Sequence, residues 1–185
     1  QALNSLDLMG LRQTLGDVRI VVASDVDNPL LGPRGAAAVF GPQKGASPSE
    51  VVQLDQALAI WAKRVGKATG SDLANRAGAG AAGGTGFAAL ALLNAELRPG
   101  IELLLDWLDF NQALVGADLV ITGEGSLDEQ SLAGKAPVGV AQAAARAGVP
   151  TIAVAGRSLL SDERLRSAGI STVYTLAHLE PDVDK

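Results

Sequence analysis

The residues that decide the fold of this chain run from Asp118 to Pro137 and read DLVITGEGSLDEQSLAGKAP. The segment Asp118–Thr122 is short and rich in β-branched side chains, which predicts a strand. Gly123 and Gly125 are expected to end this strand in a tight turn. A polar loop follows, and a helix rich in small residues is predicted over 137–147, with proline at its first position. The stretch therefore predicts a strand, a glycine-bounded polar loop and a helix.

The same pattern continues to the C-terminus. Apolar, β-branched runs alternate with helical segments, and this alternation is typical of a parallel sheet with right-handed crossovers. Because the pattern changes near Val115–Gly116, we predict a domain boundary there, with one domain over 1–115 and another over 116–185. The fold class is thus predicted to be α/β. The predicted strands are 119–122, 150–155 and 171–176, and the predicted helices are 137–147 and 161–168.

The polar loop carries charges of both signs. In open α/β sheets, a loop at the carboxyl end of a strand is where ligands bind. Glu124, Asp128 and Lys135 lie in this loop, and such a set is poorly suited to packing. We interpret the loop as a place where an anion and a cation are held together.

Composition excludes several classes of chemistry. The chain has no cysteine, which removes disulfides, thiolate nucleophiles and zinc–thiolate sites. Its single histidine, His178, argues against a Ser-His-Asp triad and against multi-histidine metal sites. Carboxylate oxygens remain, and they suit Mg²⁺, which commonly bridges to substrate phosphates. The net charge of −5 argues against a nucleic-acid partner, because such partners favour a basic surface.

The length and hydropathy of the chain limit its possible architecture and its cellular compartment. The 185 residues, 48% of them hydrophobic, allow a substantial core in one large domain or in parts of two. No run approaches the roughly 18 to 20 uncharged apolar residues that span a bilayer, so no membrane partner is expected. No signal peptide is recognised, and the cytoplasm is the expected compartment.

The first half of the chain begins with an apolar run over 18–23 that predicts a buried strand. Asp25, Asp27 and Asn28 follow at its carboxyl end. One interpretation is turn and capping chemistry, for which Asp, Asn and Pro are usual residues. The other is a functional site, and the spacing by itself leaves both open.

A second turn and a long helix come next. Gly41-Pro-Gln-Lys-Gly45 predicts a rigid turn that presents Lys44, either to a phosphate or to solvent. Ser47, Pro48 and Glu50 then form a capping-box signature for a helix. An apolar face at helical spacing follows, and we interpret it as core structure rather than as a ligand platform. Its members are Val51, Leu54, Leu58, Trp61 and Val65.

The segment 78–86 contains the letters G-x-G-x-x-G. The dinucleotide fingerprint requires a strand before the glycines and an acidic residue at a fixed distance, and neither is recognised here, so an NAD site is rejected. Two interpretations remain open. The glycines allow close helix packing, or their amides line an anion site at the start of a helix over 85–94.

Together, the polar loops 24–34, 78–86 and 122–135 supply an inventory that suits phosphoryl transfer with Mg²⁺. A P-loop enzyme is excluded, because each Gly-Lys pair is followed by alanine. A protein kinase is excluded as well, because no H-R-D or D-F-G segment occurs. The inventory comprises Asp25, Asp27, Glu124, Asp128, Lys44, Lys135, Arg34 and glycine amides.

These motifs resemble the bacterial glycerate kinase family of the class I type. The resemblance rests on DVDNPLLG at 25–32 with GPQKG at 41–45, on GAGAAGG at 78–84, and on TGEG at 122–125 with Leu127-Asp128, Gln130 and GKAP at 134–137. It implies ATP- and Mg²⁺-dependent phosphorylation of D-glycerate. It also implies a Rossmann-like domain, here 116–185, with a second α/β domain inserted in it, of which 1–115 is a part. The active site is expected in the cleft between them, and homo-oligomerisation is left open.

The resemblance also assigns site residues. It implies catalytic roles for Asp25, Asp27 and Lys135, with Asp25 and Glu124 as Mg²⁺ ligands. Further residues are assigned to substrate and to nucleotide. Those for substrate are Asn28, Lys44, Glu124 and Asp128, and those for nucleotide are Gly78, Gly80, Gly83, Gly84, Gly123 and Gly125. Arg34, from the inventory of the polar loops, is added as a candidate substrate contact.

Two departures from the family pattern matter. Ser126 stands where arginine is expected in many members, and a cation lost there would alter how phosphate or the glycerate carboxylate is held. The family's opening strand and its Asp-Ser-Phe-Lys segment are absent from this sequence. An alternative to an active kinase is therefore a non-catalytic anion- or nucleotide-binding module, or an inactive fragment of such a kinase.

Overall fold

The computed structural model describes residues 5–132 and 134–179. The chain divides into two compact units, Gln1–Arg98 and Pro99–Lys185. This division lies N-terminal to the predicted boundary near Val115–Gly116. The assignment of 1–115 and 116–185 to two domains therefore stays a prediction from the sequence.

The first unit is mainly helical around one pair of parallel strands. Strand β1 and strand β2 pair in parallel, with Val21 opposite Glu96 and Ala23 opposite Arg98. The predicted strand over 18–23 forms only in its last three residues, and β2 was not predicted. The elements are α1 (Met9–Leu15), β1 (Val21–Ala23), α2 (Ala36–Phe40), a 3₁₀ turn (Pro42–Lys44), α3 (Pro48–Thr69), a second 3₁₀ turn (Ala81–Gly84), α4 (Thr85–Leu92) and β2 (Glu96–Arg98).

Helix α3 begins as its sequence predicts. The Ser47 side chain accepts a hydrogen bond from the Glu50 amide, and the Glu50 carboxylate accepts one from the Ser47 amide at 2.8 Å. This reciprocal cap satisfies two donors that the first helical turn leaves without partners. The helix ends at Gly70, whose φ of 76° lies in the left-handed region that favours glycine.

The core of the first unit lies where α3, α4 and the segment around Leu30 meet. Leu30, Val65 and Phe87 are fully or almost fully buried. The Trp61 ring packs edge-to-face on Phe87, with ring centroids 4.9 Å apart. The predicted core role of Trp61 is therefore confirmed, whereas Leu54, on the same predicted face, is exposed.

The second unit contains the parallel sheet that the sequence predicts. Its strands lie in the order β3-β4-β5, and both pairings are parallel. The predicted β-α-β-α-β pattern and the α/β fold class are confirmed. The elements are α5 (Gly100–Trp107), α6 (Phe110–Ala113), β3 (Val120–Leu127), α7 (Glu129–Leu132), α8 (Ala136–Arg146), β4 (Thr151–Ser158), α9 (Asp162–Ser167), β5 (Ile170–Thr175) and α10 (Leu176–Leu179).

One face of this sheet is packed with small side chains. Ala141 of α8 is fully buried against Ala153 and Leu127, and Leu165 of α9 joins the same cluster. Alanine brings the helix close to the strands without leaving a void, which matches the density of protein interiors. On β3 and β4, Ile121 and Val154 remain exposed.

The structure corrects one prediction about β3. Gly123 and Gly125 do not end the strand, because it continues to Leu127. Gly123 instead lies where neighbouring backbones approach closely, whereas a Cβ on Gly125 would meet nothing within 4 Å. A Cβ on Gly123 would lie 2.6 Å from the Val154 carbonyl oxygen, and one on Gly156 would lie 2.5 Å from the Gly125 carbonyl oxygen. The predicted polar loop is therefore partly a strand, and its side chains alternate between two faces.

Within the described parts of the chain, none of the helices combines the length and the apolar character that crossing a bilayer requires.

Candidate active site

The carboxyl-terminal half of β3 presents polar side chains on one face. Glu124 and Ser126 are half-buried there, while Gly123 and Gly125 lie on the exposed face between them. This alternation follows from the pleat of a strand, in which successive side chains point to opposite sides. The strand, rather than a flexible loop, thus sets the direction of the Glu124 carboxylate.

Glu124 interacts through both of its carboxylate oxygens. The Lys135 ammonium lies 3.4 Å from Oε1, and the Ser131 hydroxyl donates to Oε2 at 3.0 Å. The Glu124 side chain is 26% exposed and that of Lys135 is 41% exposed, so the pair lies at a partly desolvated edge of the sheet. An ionised carboxylate offers about four lone-pair sites, so these two contacts leave acceptor capacity at Glu124.

Ser131 is the fully buried centre of this cluster. Its hydroxyl donates to Glu124 and accepts a hydrogen bond from the Asp128 amide at 3.2 Å. The hydroxyl thereby joins β3 to α7 and orients the Glu124 carboxylate. Sequence reasoning missed Ser131, although its position in the polar stretch between Glu124 and Lys135 was a usable signal.

Asp128 has a local structural task. Its carboxylate accepts hydrogen bonds from the amides of Gln130 at 2.9 Å and of Ser131 at 3.2 Å. This turn is a pattern that aspartate favours at the start of a helix. Its predicted substrate contact stays a prediction.

Arg157 extends the cluster onto the neighbouring strand. Ser126 and Arg157 are register partners on β3 and β4, and Arg157 Nε donates to Ser126 Oγ at 3.2 Å. The residue that departs from the family pattern therefore accepts a hydrogen bond from an arginine of this chain. Sequence reasoning missed Arg157, and its place at the end of the second predicted strand was the available signal.

In the first unit, the segment after β1 forms a second polar group. Arg34 lies 3.5 Å from Asp27, and both side chains are strongly exposed. The Asn28 side chain donates to the Arg34 carbonyl at 2.9 Å. Asp55 of α3 anchors this segment, because its carboxylate accepts a hydrogen bond from the Gly32 amide at 3.0 Å. The contacts of Asp27 and Asn28 fit turn chemistry and leave a functional role open.

The glycine-rich segment packs directly on this polar group. The Gly80 amide donates to the Asn28 carbonyl at 2.8 Å. A Cβ on Gly80 would lie 2.3 Å from the Pro29 carbonyl oxygen, and one on Gly78 would lie 3.3 Å from the Val26 carbonyl oxygen. The close-packing interpretation of these glycines is thereby supported. The residues directly before Gly78 form turns rather than a strand, in line with the rejection of a dinucleotide fingerprint.

The remaining predicted residues lie near these groups or on the surface. Asp25 is exposed in the segment after β1, and Lys44 is exposed at the end of the first 3₁₀ turn. Gly83 is exposed with φ of 71°, and Gly84 is buried. Lys44 borders a surface groove of about 640 Å³ between the 3₁₀ turn and the start of α3.

The described residues contain no cluster of three or more His, Cys, Asp or Glu side chains that fits a metal ion. Mg²⁺ needs no such cage, because it keeps several waters and commonly uses one or two carboxylates with substrate phosphates. Asp25 and Glu124 each offer a carboxylate of the kind that this ion prefers, and both assignments stay predictions.

The structure thus brings the predicted residues together in two groups. Each group lies within one compact unit. The first combines Asp27, Asn28 and Arg34 with Gly78 and Gly80. The second combines Glu124, Asp128 and Lys135 with Ser131, Ser126 and Arg157.

Comparison with known proteins supplies independent information. A glycerate kinase of Bacillus subtilis is 45% identical over 174 residues, which cover 94% of this chain and 46% of that protein. The glycerate 2-kinase of Escherichia coli is 45% identical over 175 residues, again 94% of this chain and 46% of its own length. The chain therefore spans about half the length of these curated relatives.

A solved structure agrees with the fold. The crystal structure assigned as glycerate kinase 2 from Salmonella typhimurium LT2 matches with a TM-score of 0.76 and 44% identity. The match covers 94% of this chain and 44% of that one. The model of the glycerate kinase family matches residues 1–185, so the whole sequence lies within the matched region. The chain belongs to the glycerate kinase family.

Proposed function

We propose that the protein containing this chain phosphorylates D-glycerate with ATP and Mg²⁺. The observation that carries the proposal is the cluster in the carboxyl-terminal half of β3, where Lys135 and Ser131 contact the two oxygens of the Glu124 carboxylate. A carboxylate beside a lysine at the carboxyl edge of a parallel sheet suits a charged substrate and a metal-bound phosphate. Family membership adds the substrate class.

The roles of individual residues follow from their chemistry. Lys135 neutralises charge on the transferred phosphoryl group, and Glu124 binds Mg²⁺ or the glycerate hydroxyls. Asp25 or Asp27 is the proposed base or second metal ligand, with Asn28, Arg34, Lys44 and Asp128 as substrate contacts. Phosphoryl transfer depends mainly on positioning and charge neutralisation, which these side chains supply. When bound, Mg²⁺ would neutralise the phosphate oxygens.

The glycines have a separate proposed role in nucleotide binding. Gly78, Gly80, Gly83 and Gly84 shape the loop before α4, and Gly123 and Gly125 leave the exposed face of β3 without side chains. At Gly83 and Gly125 nothing lies within 4 Å of the position that a Cβ would take, and backbone without a side chain admits a phosphate to close range.

The position of phosphorylation is part of the proposal. The E. coli relative, 45% identical, is named glycerate 2-kinase. On that basis the proposed product is 2-phosphoglycerate. ³¹P NMR of the product distinguishes it from 3-phosphoglycerate.

Turnover of D-glycerate with MgATP by the full-length protein tests the function. Lys135→Ala and Asp25→Ala are expected to abolish most of it. Full activity in both variants would show that the assigned residues are wrong. Tight ATP binding without turnover, measured by calorimetry, would instead identify a non-catalytic nucleotide-binding module.

A further inference from the structure

We infer that Arg157 is an additional anion-binding residue of the proposed site. Its guanidinium would bind a pair of oxygens on a substrate carboxylate or on a nucleotide phosphate. The inference rests on the proposed function for the identity of the anion, and it concerns a residue that the motifs do not include.

The first argument is position. Arg157 is the penultimate residue of β4, and its register partner on β3 is Ser126. Glu124 lies two residues before Ser126 on the same face of β3. In parallel strands the carboxyl ends meet at one edge of the sheet, where ligands of α/β proteins bind. Arg157 therefore lies at the same edge as the Glu124–Lys135 pair.

The second argument is how the guanidinium is held. Arg157 Nε donates to Ser126 Oγ at 3.2 Å. A guanidinium has five N–H donors in a rigid planar fork, so this bond leaves the two terminal nitrogens for a ligand. Holding the long side chain by Nε lowers the conformational entropy that anion binding would otherwise cost. The fork matches carboxylate and phosphate oxygens in a bidentate manner.

The third argument is charge. Arg19, Arg34 and Arg164 each lie within salt-bridge distance of a carboxylate. Among residues 5–132 and 134–179, the Arg157 side chain has no such ion pair, and its one hydrogen bond there is to a neutral hydroxyl. Nearby, Lys135 is already paired with Glu124. Arg157 is thus the cation at this edge whose charge is not matched by a carboxylate.

The test uses the full-length protein and three variants. Arg157→Gln removes the charge, Arg157→Lys keeps the charge but removes the fork, and Arg164→Gln is the control. Arg164 is an exposed arginine of α9 that pairs with Glu129. Steady-state kinetics give KM for D-glycerate and for ATP separately, together with kcat. Calorimetry with D-glycerate, ATP and inorganic phosphate measures binding without turnover, and thermal melting confirms that each variant folds.

Arg157→Gln is expected to raise either KM for D-glycerate or KM for ATP by about ten- to a hundredfold, because a charge-assisted hydrogen bond is lost. A change in the glycerate value identifies a carboxylate as the ligand, and a change in the ATP value identifies a phosphate. Arg157→Lys is expected to recover only part of the affinity, and Arg164→Gln to remain within twofold of wild type.

The inference and the proposed function can fail separately. If wild type phosphorylates D-glycerate and Arg157→Gln matches Arg164→Gln for every ligand, the inference is wrong and the function stands. If wild type lacks turnover but binds inorganic phosphate in a manner that Arg157→Gln weakens at least tenfold, the anion site stands and the function is wrong. If wild type binds none of the three ligands, both are wrong.

Discussion

Lys135 Nζ lies 3.4 Å from Glu124 Oε1, which joins the residue before α8 to the middle of β3. Neither side chain is fully exposed, so the pair is less screened by water than a surface ion pair. The structure thus holds two opposite charges together on this parallel sheet, and the proposed function assigns them to a substrate anion and a metal cation.

If Lys135 has the proposed role of stabilising the transferred charge, its replacement by alanine is expected to lower kcat/KM for D-glycerate by about 100- to 1,000-fold. Lys135→Arg should keep part of the activity. Steady-state assays of the full-length protein give both values. Lys63→Ala, which removes an exposed lysine of α3, is the control and should be neutral. Equal activity of Lys135→Ala and Lys63→Ala would contradict the assigned role.

Ser131→Ala is expected to lower the free energy of unfolding by about 1–3 kcal/mol. The reason is that the polar groups that contact the buried Ser131 hydroxyl lose that hydrogen-bond partner. The affected groups are the Glu124 carboxylate and the Asp128 amide. Urea denaturation measures the change in the free energy of unfolding. Steady-state kinetics measure whether activity falls when the Glu124 carboxylate is no longer oriented by the hydroxyl. Ser167→Ala, which replaces an exposed serine of α9, provides the control. A variant as stable and as active as wild type would show that the hydroxyl does not organise this cluster.

Gly80→Ala is expected to destabilise the first unit by about 1–3 kcal/mol through steric overpacking. The added Cβ would lie 2.3 Å from the Pro29 carbonyl oxygen, and backbone cannot move aside as a flexible side chain can. The matched control is Gly10→Ala in α1, where a Cβ meets nothing within 4 Å. That change should be neutral or slightly stabilising, because alanine favours helix. The melting temperatures of Gly80→Ala and Gly10→Ala are compared by thermal denaturation. Equal values would contradict the close-packing argument.

The substitution Asp27→Asn distinguishes a structural role of Asp27 in the turn from a role in catalysis. The Asp27–Arg34 pair is exposed, so its loss should change stability by no more than about 1 kcal/mol. If Asp27 acts on the substrate or the metal, kcat should nevertheless fall by about 100-fold or more. Comparing denaturation with kinetics on the same variant decides between the two interpretations. Unchanged kcat would leave Asp27 with a structural role only.

The capping box of α3 makes stability depend on pH. Hydrogen bonds from the Ser47 side chain and then from the Ser47 amide hold the pKa of Glu50 below its ordinary value of 4.5. Because the folded pKa is lowered, the stabilisation is present above the unfolded pKa and is lost as pH falls through the folded pKa. The difference in melting temperature between wild type and Glu50→Gln should therefore be largest near neutral pH and shrink below about pH 4.5.

The control for this pH profile is Glu163→Gln, a replacement in the first turn of α9. Glu163 is exposed and lies at the second helical position rather than at the capping-box position. This replacement removes a carboxylate from a helix start without removing a capping box. A melting-temperature difference for Glu50→Gln that grows as the pH falls would contradict a lowered pKa of Glu50 in the folded state.

Structural features that depend only on residues near one another in the chain could be predicted from the amino-acid sequence alone. The Ser47 cap and the alternation of strands and helices after Ala117 both follow from residues close in the chain. Hydrophobic periodicity and helix capping depend on residues within one short segment, so the sequence of that segment is enough to predict them. The resemblance to the glycerate kinase family also came from the sequence alone, and the match to the family model confirms the family.

Features that depend on neighbours distant in sequence became visible only in the folded chain. Gly123 was predicted to end a strand, but the close backbone of β4 lets the strand continue through it. Strand β2, with three residues, exists because it pairs with β1. Arg157 reaches Ser126 because register aligns two strands, and Ser131 reaches Glu124 because α7 folds back on β3. Pairing and burial arise between segments, so neither can be read from one segment alone.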